Sequence, residues 1–249
     1  MNATVAALTR RSLLGRKRTV VLTLLPLALL ALCVLARVLG GLDDDIGSEL
    51  GGTLAPDLLG AFGIAILMPL LGLVAGTGAI GPEIDDGSIV YTLAKPLNRY
   101  SIVVTKLVVA IGVIVAFGVL PVLVSGVVLT GSLGVVALSF AAGALAAGVG
   151  YAAVFLLLAV VTRNAVVVGL IYALVWESLV GGLVPGAQTL SIQQWSLSVT
   201  ERVLGDSAAR VGLDAAVGFG TGLTLLVVVT VVATAVAGRK LQTLRLEEA

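Results

Sequence analysis

Residues 61–106 read AFGIAILMPLLGLVAGTGAIGPEIDDGSIVYTLAKPLNRYSIVVTK, and this stretch has two contrasting parts. The first part, Ala61–Ile80, carries no charged side chain. A transmembrane helix needs about 20 mostly apolar residues to cross the hydrocarbon core of a bilayer. The second part, Gly81–Lys106, is rich in charged and turn-forming residues, and the apolar stretch Leu107–Leu129 follows it. This pattern predicts two membrane-spanning helices joined by a short polar segment.

The composition of the whole chain is that of a membrane protein. Of its 249 residues, 59% are hydrophobic and only 12% are charged, and the mean hydropathy is +1.15. A soluble domain has roughly 25% charged residues, so this chain has too little polar surface to cover a globule in water. We expect an all-α integral membrane protein with one domain over residues 1–249 and six transmembrane helices. The six predicted spans are Val20–Leu39, Ala61–Ile80, Leu107–Leu129, Val135–Val161, Ala165–Val184 and Ala215–Ala237.

The basic residues are distributed unevenly over the predicted loops. If the N-terminus is cytosolic, 12 of the 15 Lys and Arg residues lie on the inner side, and only Arg37, Arg202 and Arg210 lie on the outer side. Cytosolic loops of membrane proteins carry an excess of Lys and Arg. We therefore predict a multi-pass protein of the plasma (inner) membrane with both termini in the cytosol.

Residues 1–18 predict a short amphipathic helix on the inner membrane surface. On a helical wheel, Arg10 and Arg11 lie opposite a mostly apolar side. That side contains Val5, Leu8, Ser12 and Leu13.

Several classes of protein are excluded by the residues that the sequence lacks. It contains no histidine, and Cys33 is its only cysteine. A serine–histidine dyad, a histidine-ligated di-iron site and an HExxH zinc site all need an imidazole, and a single cysteine forms no disulfide within one chain. The net charge of +1 provides no basic face for nucleic acid. We expect no catalytic residue, no metal site and no nucleic-acid partner.

The polar segment Gly81–Lys106 carries the residues that indicate a function. Pro82 suits the first turn of a helix, and the acidic residues Glu83, Asp85 and Asp86 suit the positive N-terminal end of that helix. Pro96 disfavours helix at the residue before it and turns the chain. The segment therefore predicts a short amphipathic cytosolic element joined rigidly to spans two and three. Its predicted polar stripe is Asp85, Ser88, Thr92 and Lys95.

This segment resembles the ABC-2-type permeases, the transmembrane subunits of a large group of ABC exporters. That family has a glutamate after the second span, then Gly-Thr or Gly-Ser, a leucine-rich turn, Pro, Arg, and a lysine that opens the third span. The matching residues here are Glu83, Gly87, Ser88, Leu93, Pro96, Arg99 and Lys106. Ser88 stands where threonine is commoner, and Ala94 stands where a second leucine is frequent. The basic N-terminal helix and the six spans also fit, so the resemblance covers the whole chain.

The resemblance implies a permease that works as a dimer, with a second copy or a homologous permease in the lipid bilayer. It also implies that two ABC ATPase subunits dock on the Glu83–Ala94 element, including Asp85 and Asp86, and displace it when they close on nucleotide. The chain itself contains no Gly-x4-Gly-Lys-[Ser/Thr] phosphate loop. ATP and Mg would therefore be bound by the partner ATPase, and this chain would hold no cofactor. The alternatives are a membrane scaffold or sensor tied to an ATPase, or a secondary transporter, which commonly shows inverted repeats that are not evident here.

Three residues inside the spans are candidates for a pathway or a gate. Pro69 and Pro121 interrupt spans two and three, where a proline produces a kink. Glu177 is an acid in an apolar run, about 20 Å from Asn164 along a helix, and ionisable groups inside a bilayer are expensive and often functional. The alternative for Glu177 is snorkelling to the outer surface or pairing with Arg202 or Arg210.

Two further patterns concern packing and the outer surface. Span four has two series of residues at intervals of four, and their small members favour close helix packing within the chain over a dimer interface. These series are Gly143, Ala147, Tyr151 and Ala144, Gly148, Ala152. The outer segment, about Pro185–Asp214, predicts a short helix around Val199–Leu204, with Trp195 as an interfacial anchor or part of an outer lid.

Overall fold

The computed structural model describes residues 3–13, 15–40, 54, 56–88, 98–180 and 186–243. These residues form helices and no strand, which confirms the predicted all-α fold class. Within the described ranges, five helices are long and apolar enough to cross a membrane. The predicted fifth span is a shorter apolar helix that begins at Ala165 and continues to Val180, before residues that the structure does not describe. The count of six spans therefore stays a prediction.

We number the described helices in chain order. Three long helices contain a π-helical stretch, with more residues per turn than the α-helix. The bounds are α1 Ala3–Leu13, α2 Arg16–Gly40, α3 Pro56–Leu67 (π) continuing as Met68–Asp85, α4 Arg99–Ile114 continuing as Val115–Val119 (π) and Leu120–Thr130, α5 Val135–Val161, α6 Ala165–Ile171 continuing as Tyr172–Val180 (π), α7 Ile192–Leu204, α8 Ser207–Val211 and α9 Phe219–Thr243.

The helix α5 lies at the centre of the bundle, in contact with α3, α4, α7 and α9. Its approach to α3 is closest at two glycines of α3. A Cβ atom on Gly76 would lie 2.9 Å from the carbonyl oxygen of Ala152, and one on Gly72 would collide with the side chain of Tyr151. The small residues of span four are likewise buried inside this chain, as predicted for intrachain packing.

The N-terminal helix α1 packs against α3 and the first part of α4. Its buried residues are Val5, Thr9 and Leu13, which lie four positions apart and share one face. The prediction that placed Leu8 on the same side is wrong, because contact with α3 and α4 selects the Val5–Thr9–Leu13 face and leaves Leu8 55% exposed.

Helix α1 and the last turns of α9 lie at the same end of the bundle. The start of α4 contacts α1, and Tyr100 in its first turn packs so closely on Gly238 of α9 that a Cβ there would collide with its ring. We call this the inner end. At the opposite, outer end, Arg37 in the last turn of α2 donates a 3.1 Å hydrogen bond to the carbonyl of Leu129 near the end of α4.

Spans two and three are irregular at the predicted prolines. Pro69 and Pro121 each occupy the second position of an α-helical part that directly follows a π-helical stretch. The two irregular points are in contact, because a Cβ atom on Gly118 would lie 3.0 Å from Sδ of Met68. The interruption predicted for both spans is therefore present as a change of helix type.

Candidate functional site

The candidate site begins in the last turns of α3. This helix continues through Pro82 and Glu83 to Asp85, and Asp86 is its C-cap. The prediction that Pro82 begins a new helix, with the acidic residues at its positive N-terminal end, is therefore wrong. The carboxylates lie at the negative C-terminal end, where the helix dipole disfavours them by about 0.3–1 kcal/mol, so a nearby positive charge stabilises this end of the helix.

Lys106 supplies that charge from the second turn of α4. Its side chain is fully buried, and its Nζ donates hydrogen bonds to Oε1 of Glu83 at 2.5 Å and to the carbonyl oxygen of Ala79 at 2.8 Å. The structure thus shows Lys106 as an ion-pair partner of Glu83. Spans two and three are thus joined at their inner ends by one ion pair.

The pair lies between the protein interior and the inner surface. The Glu83 side chain is 18% exposed. Its other oxygen, Oε2, is buried and accepts no hydrogen bond from the described residues.

Gly87 ends the helix. Its φ is +67°, in the left-handed region that glycine adopts without steric cost. A Cβ atom there would meet no other atom within 4 Å. This glycine supplies the turn conformation that ends α3.

The remaining residues of the predicted segment divide into three groups. Asp85 and Asp86 are exposed and Ser88 is half-buried. Arg99 is the first residue of α4, directly after Asn98, whose Oδ1 accepts a 3.0 Å hydrogen bond from the Tyr100 N–H and caps the helix. Leu93 and Pro96, together with Thr92 and Lys95 of the predicted polar stripe, lie outside the described residues.

A cavity of about 210 Å³ lies beside the same turn, between α3, α5 and α6. Asp85 and Arg163 place charges of opposite sign on its lining, and Thr77 adds a hydroxyl group. The other lining residues are Gly81, Pro82, Ala159, Thr162, Asn164, Ala165, Val166 and Val167.

Glu177 is remote from this turn and is 1% exposed. It neither snorkels to the surface nor pairs with an arginine within the described part of the chain. Arg210 donates to Ser207, and Arg202 lies 5.9 Å from the centroid of the Phe219 ring. Instead, the Glu177 carboxylate accepts hydrogen bonds around the first turn of α7, which is longer than the helix predicted at Val199–Leu204. Trp195 is buried, so it is not a membrane-interface anchor.

Two features were missed by the sequence interpretation, and one of them had a signal. Ser191 and Gln194 have the Ser-x-x-Gln spacing of a helix start, and the Ser191 hydroxyl indeed accepts from the Gln194 N–H at 3.3 Å. That spacing predicts the start of α7. The hydrogen bond from Lys106 to the Ala79 carbonyl could not be predicted from the sequence. Every residue has a backbone carbonyl, so the type of side chain does not show which one accepts.

Comparison with known proteins identifies the family to which the chain belongs. No curated protein and no solved structure matches the chain. The sequence model of the family described as ABC-2 family transporter protein matches residues 11–240, which include every span and the whole Gly81–Lys106 segment. The chain therefore belongs to the ABC-2 transporter family.

Proposed function

We propose that this chain is the permease subunit of an ATP-driven exporter, and that a separate ABC ATPase subunit drives it through the turn that follows α3. The observation that carries the proposal is the buried Lys106–Glu83 pair. It joins the two helices that flank the turn, so a partner that displaces the turn moves both of them.

The helices α3 and α4 can bend at their irregular points when the turn is displaced. From Glu83 to Pro69 is about 21 Å of helix, and the α-helical stretch between them is continuous. Next to Pro69 and Pro121 both helices change type: a π-helical stretch directly precedes each proline in the chain, and π-helical stretches are frequent at functional sites. A push on the inner end would thus tilt two stiff helical arms about the Met68–Gly118 contact.

The energy source would lie outside this chain. With no phosphate loop in the sequence, ATP and Mg would be bound by the ATPase, with two ATPase subunits for two permease copies. Large apolar side chains are exposed along α2, α6 and α9, among them Leu24, Ile171 and Val231. Lipid and a second permease copy are surroundings that suit such faces.

The orientation follows from the charges. The inner end, which holds Lys106 and the start of α4, is the end where the basic residues concentrate. We place this end and both termini in the cytosol of a cell with the protein in its plasma (inner) membrane, where the ATPase has access to ATP.

Co-purification and hydrolysis test the proposal. An affinity-tagged chain expressed together with an ATPase encoded beside it should retain that ATPase in detergent, and the purified chain alone should not hydrolyse ATP. Hydrolysis by the chain alone, free of contaminants, contradicts the proposal, and so does failure of any ATPase to bind.

Transport separates the exporter from a scaffold or sensor subunit, which would have the same docking turn. The complex is placed in proteoliposomes with a fluorescent headgroup-labelled phospholipid or an amphipathic cationic dye, since apolar and small residues line the spans. ATP-dependent movement of either probe supports the exporter. The matched control is the complex with the phosphate-loop lysine of the ATPase replaced by alanine.

A further inference from the structure

The helix α7 re-enters the bundle from its outer end. Ile192, its first residue, lies against Gly150 of α5, where a Cβ atom would be 3.0 Å from Cγ2 of Ile192. Gly150 is fifteen residues after the start of α5 at Val135, or about 22 Å along that helix. Thr200, two turns later in α7, lies against Gly143. The N-terminus of α7 is therefore buried in the bundle, and the helix rises toward the outer end.

A helix N-terminus in the interior has N–H groups that need acceptors. Here the acceptor is a side chain of a different helix. The carboxylate of Glu177 in α6 accepts hydrogen bonds from the Ser191 hydroxyl at 2.5 Å, the Ile192 N–H at 3.1 Å and the Gln193 N–H at 3.4 Å. Tyr172 of α6 donates a further hydrogen bond to Glu177 at 3.0 Å. The negative charge is thus held by the first turn of α7 and by one hydroxyl of its own helix.

The buried hydroxyl side chains of α7 make a different kind of contact with α5 and α9. Three hydroxyl side chains of α7 are buried, but each donates to a carbonyl of α7 itself. They are Ser196, Ser198 and Thr200. The surfaces opposite them are glycines, Gly143 of α5 and Gly222 of α9. None of these three hydroxyl groups donates a hydrogen bond to α5 or α9, whereas the Glu177 hydrogen bonds are directional and fix α7 against α6.

We propose that Glu177 is a positioning residue that fastens α7 to α6, keeps the outer half of the bundle closed, and releases α7 when cargo leaves. The release is a movement of α7 away from α6. The proposal rests on the proposed exporter function for its role in transport, but the fastening itself is a property of this chain alone.

Labelling of buried cysteines tests the fastening without ATP. Ser196→Cys and Thr200→Cys are introduced singly into the full-length chain with Cys33→Ala, and a membrane-impermeant maleimide is added from outside. Both positions are fully buried, so labelling should be slow. Glu177→Gln removes one acceptor oxygen and the charge, and we expect about tenfold faster labelling, as the loss of a hydrogen bond to a charged group predicts.

The matched control is Glu201→Gln, which neutralises another carboxylate of α7. Glu201 accepts a 3.2 Å hydrogen bond from the Ala215 N–H at the outer end of the helix. It should leave the labelling rates unchanged. A cysteine at the fully buried Ser125 of α4 should stay unlabelled in both variants; labelling there would indicate general unfolding. Equal rates at positions 196 and 200 for the two variants overturn the proposal.

A second measurement applies if Glu177→Gln fails to fold. The Ser196→Cys chain with native Glu177 is assembled with its ATPase in proteoliposomes, and labelling is compared with and without ATP. Faster labelling during turnover supports release of α7, and an unchanged rate overturns it. If the complex hydrolyses no ATP, the exporter assignment has failed instead, and the fastening is decided in the chain alone by Ser191→Ala, which removes one donor to Glu177. Faster labelling at position 196 supports the fastening, and an unchanged rate overturns it.

Discussion

The ammonium group of Lys106 bridges two groups of the neighbouring span, the carboxylate of Glu83 at 2.5 Å and the carbonyl oxygen of Ala79 at 2.8 Å. Ala79 and Glu83 are one helical turn apart, so a single side chain of α4 binds the last turns of α3. This arrangement places a full positive charge at a helix C-terminus, where it is stabilising. It also makes the stability of each partner depend on the other.

The first prediction concerns this mutual dependence. Glu83→Ala leaves the Lys106 ammonium buried with only the Ala79 carbonyl, and breaking a buried ion pair in this way is destabilising by about 3–5 kcal/mol. In Glu83→Ala/Lys106→Met no charge is left unpaired, so the double variant should be more stable than Glu83→Ala alone. Thermal unfolding of the detergent-solubilised chain measures this. Additive effects of the two substitutions would mean that the two side chains do not interact.

A second prediction concerns the packing of α3 on α5. A Cβ atom on Gly76 would lie 2.9 Å from both the Ala152 carbonyl oxygen and Cβ of Phe155. Gly76→Ala should therefore destabilise the chain by about 1–3 kcal/mol, the usual effect of overpacking. Gly81→Ala in the same helix is the control, because a Cβ there meets nothing within 4 Å. It should be neutral or slightly stabilising, since alanine favours helix. The midpoint of thermal aggregation compares the two, and equal losses would contradict this packing.

The third prediction separates the conformation of Gly87 from the space around it. The position has open surroundings but a φ of +67°. Asparagine tolerates the left-handed region better than other residues with a side chain, and a β-branched residue tolerates it least. Gly87→Asn should retain most ATPase coupling, and Gly87→Val should lose most of it while the ATPase still binds. Identical behaviour of the two variants would exclude the turn conformation as the cause.

The fold class and five long apolar helices could be predicted from the sequence because apolar runs such as Ala61–Ile80 are long and uninterrupted. For the ion pair between spans two and three, the sequence predicted the two residues but not their contact. Lys106 and Glu83 were both candidates, but their pairing depends on how α3 and α4 pack, and no local pattern encodes that. The prediction that a helix starts at Pro82 was wrong for a related reason. Local preference favours Pro82 in a first turn, whereas the tertiary contact with Lys106 supports its place inside α3.

The position of α7 inside the bundle also could not be predicted from local sequence patterns. Its amphipathic sequence is compatible with a helix on the outer surface, and only the glycines of α5 and α9 opposite its buried hydroxyl groups decide that it packs inside. Three glycines, Gly143, Gly150 and Gly222, provide the room. The sequence identifies small residues in span four but not the helix that they accommodate.

The fourth prediction is the topology. Single cysteines at Asn164 and Asp206, both exposed, should be labelled from opposite sides of the membrane, with Asn164 on the cytosolic side together with Asn2 and Glu248. Ser191 is unsuitable as an outer reporter because it is buried. Labelling of Asn164 and Asp206 from the same side would contradict the arrangement of spans, since α6 and the following outer segment separate them.

The last prediction concerns transmission from the ATPase. Glu83→Gln keeps the size of the side chain and one oxygen that can accept from Lys106, and Lys106 keeps its hydrogen bond to Ala79. Expression and binding of the ATPase should therefore stay near normal. The charge that holds the inner ends of α3 and α4 together is lost, so displacement of the turn should move one helix without the other. We expect ATP-dependent transport, or stimulation of the ATPase by the permease, to fall about tenfold, the effect of about 1.4 kcal/mol.

The control is Asp57→Asn, which removes the same charge from an exposed residue in the first turn of α3, at the outer end of the same span. It changes the net charge of the chain and the charge of span two in the same way, but it has no part in the ion pair. Transport, ATPase activity and the amount of assembled complex are measured for both variants in the same proteoliposomes. A tenfold loss with Glu83→Gln and none with Asp57→Asn would support transmission through the pair. Small and equal losses would mean that Lys106 and Glu83 only stabilise the helix ends, and that the ATPase acts on the permease elsewhere.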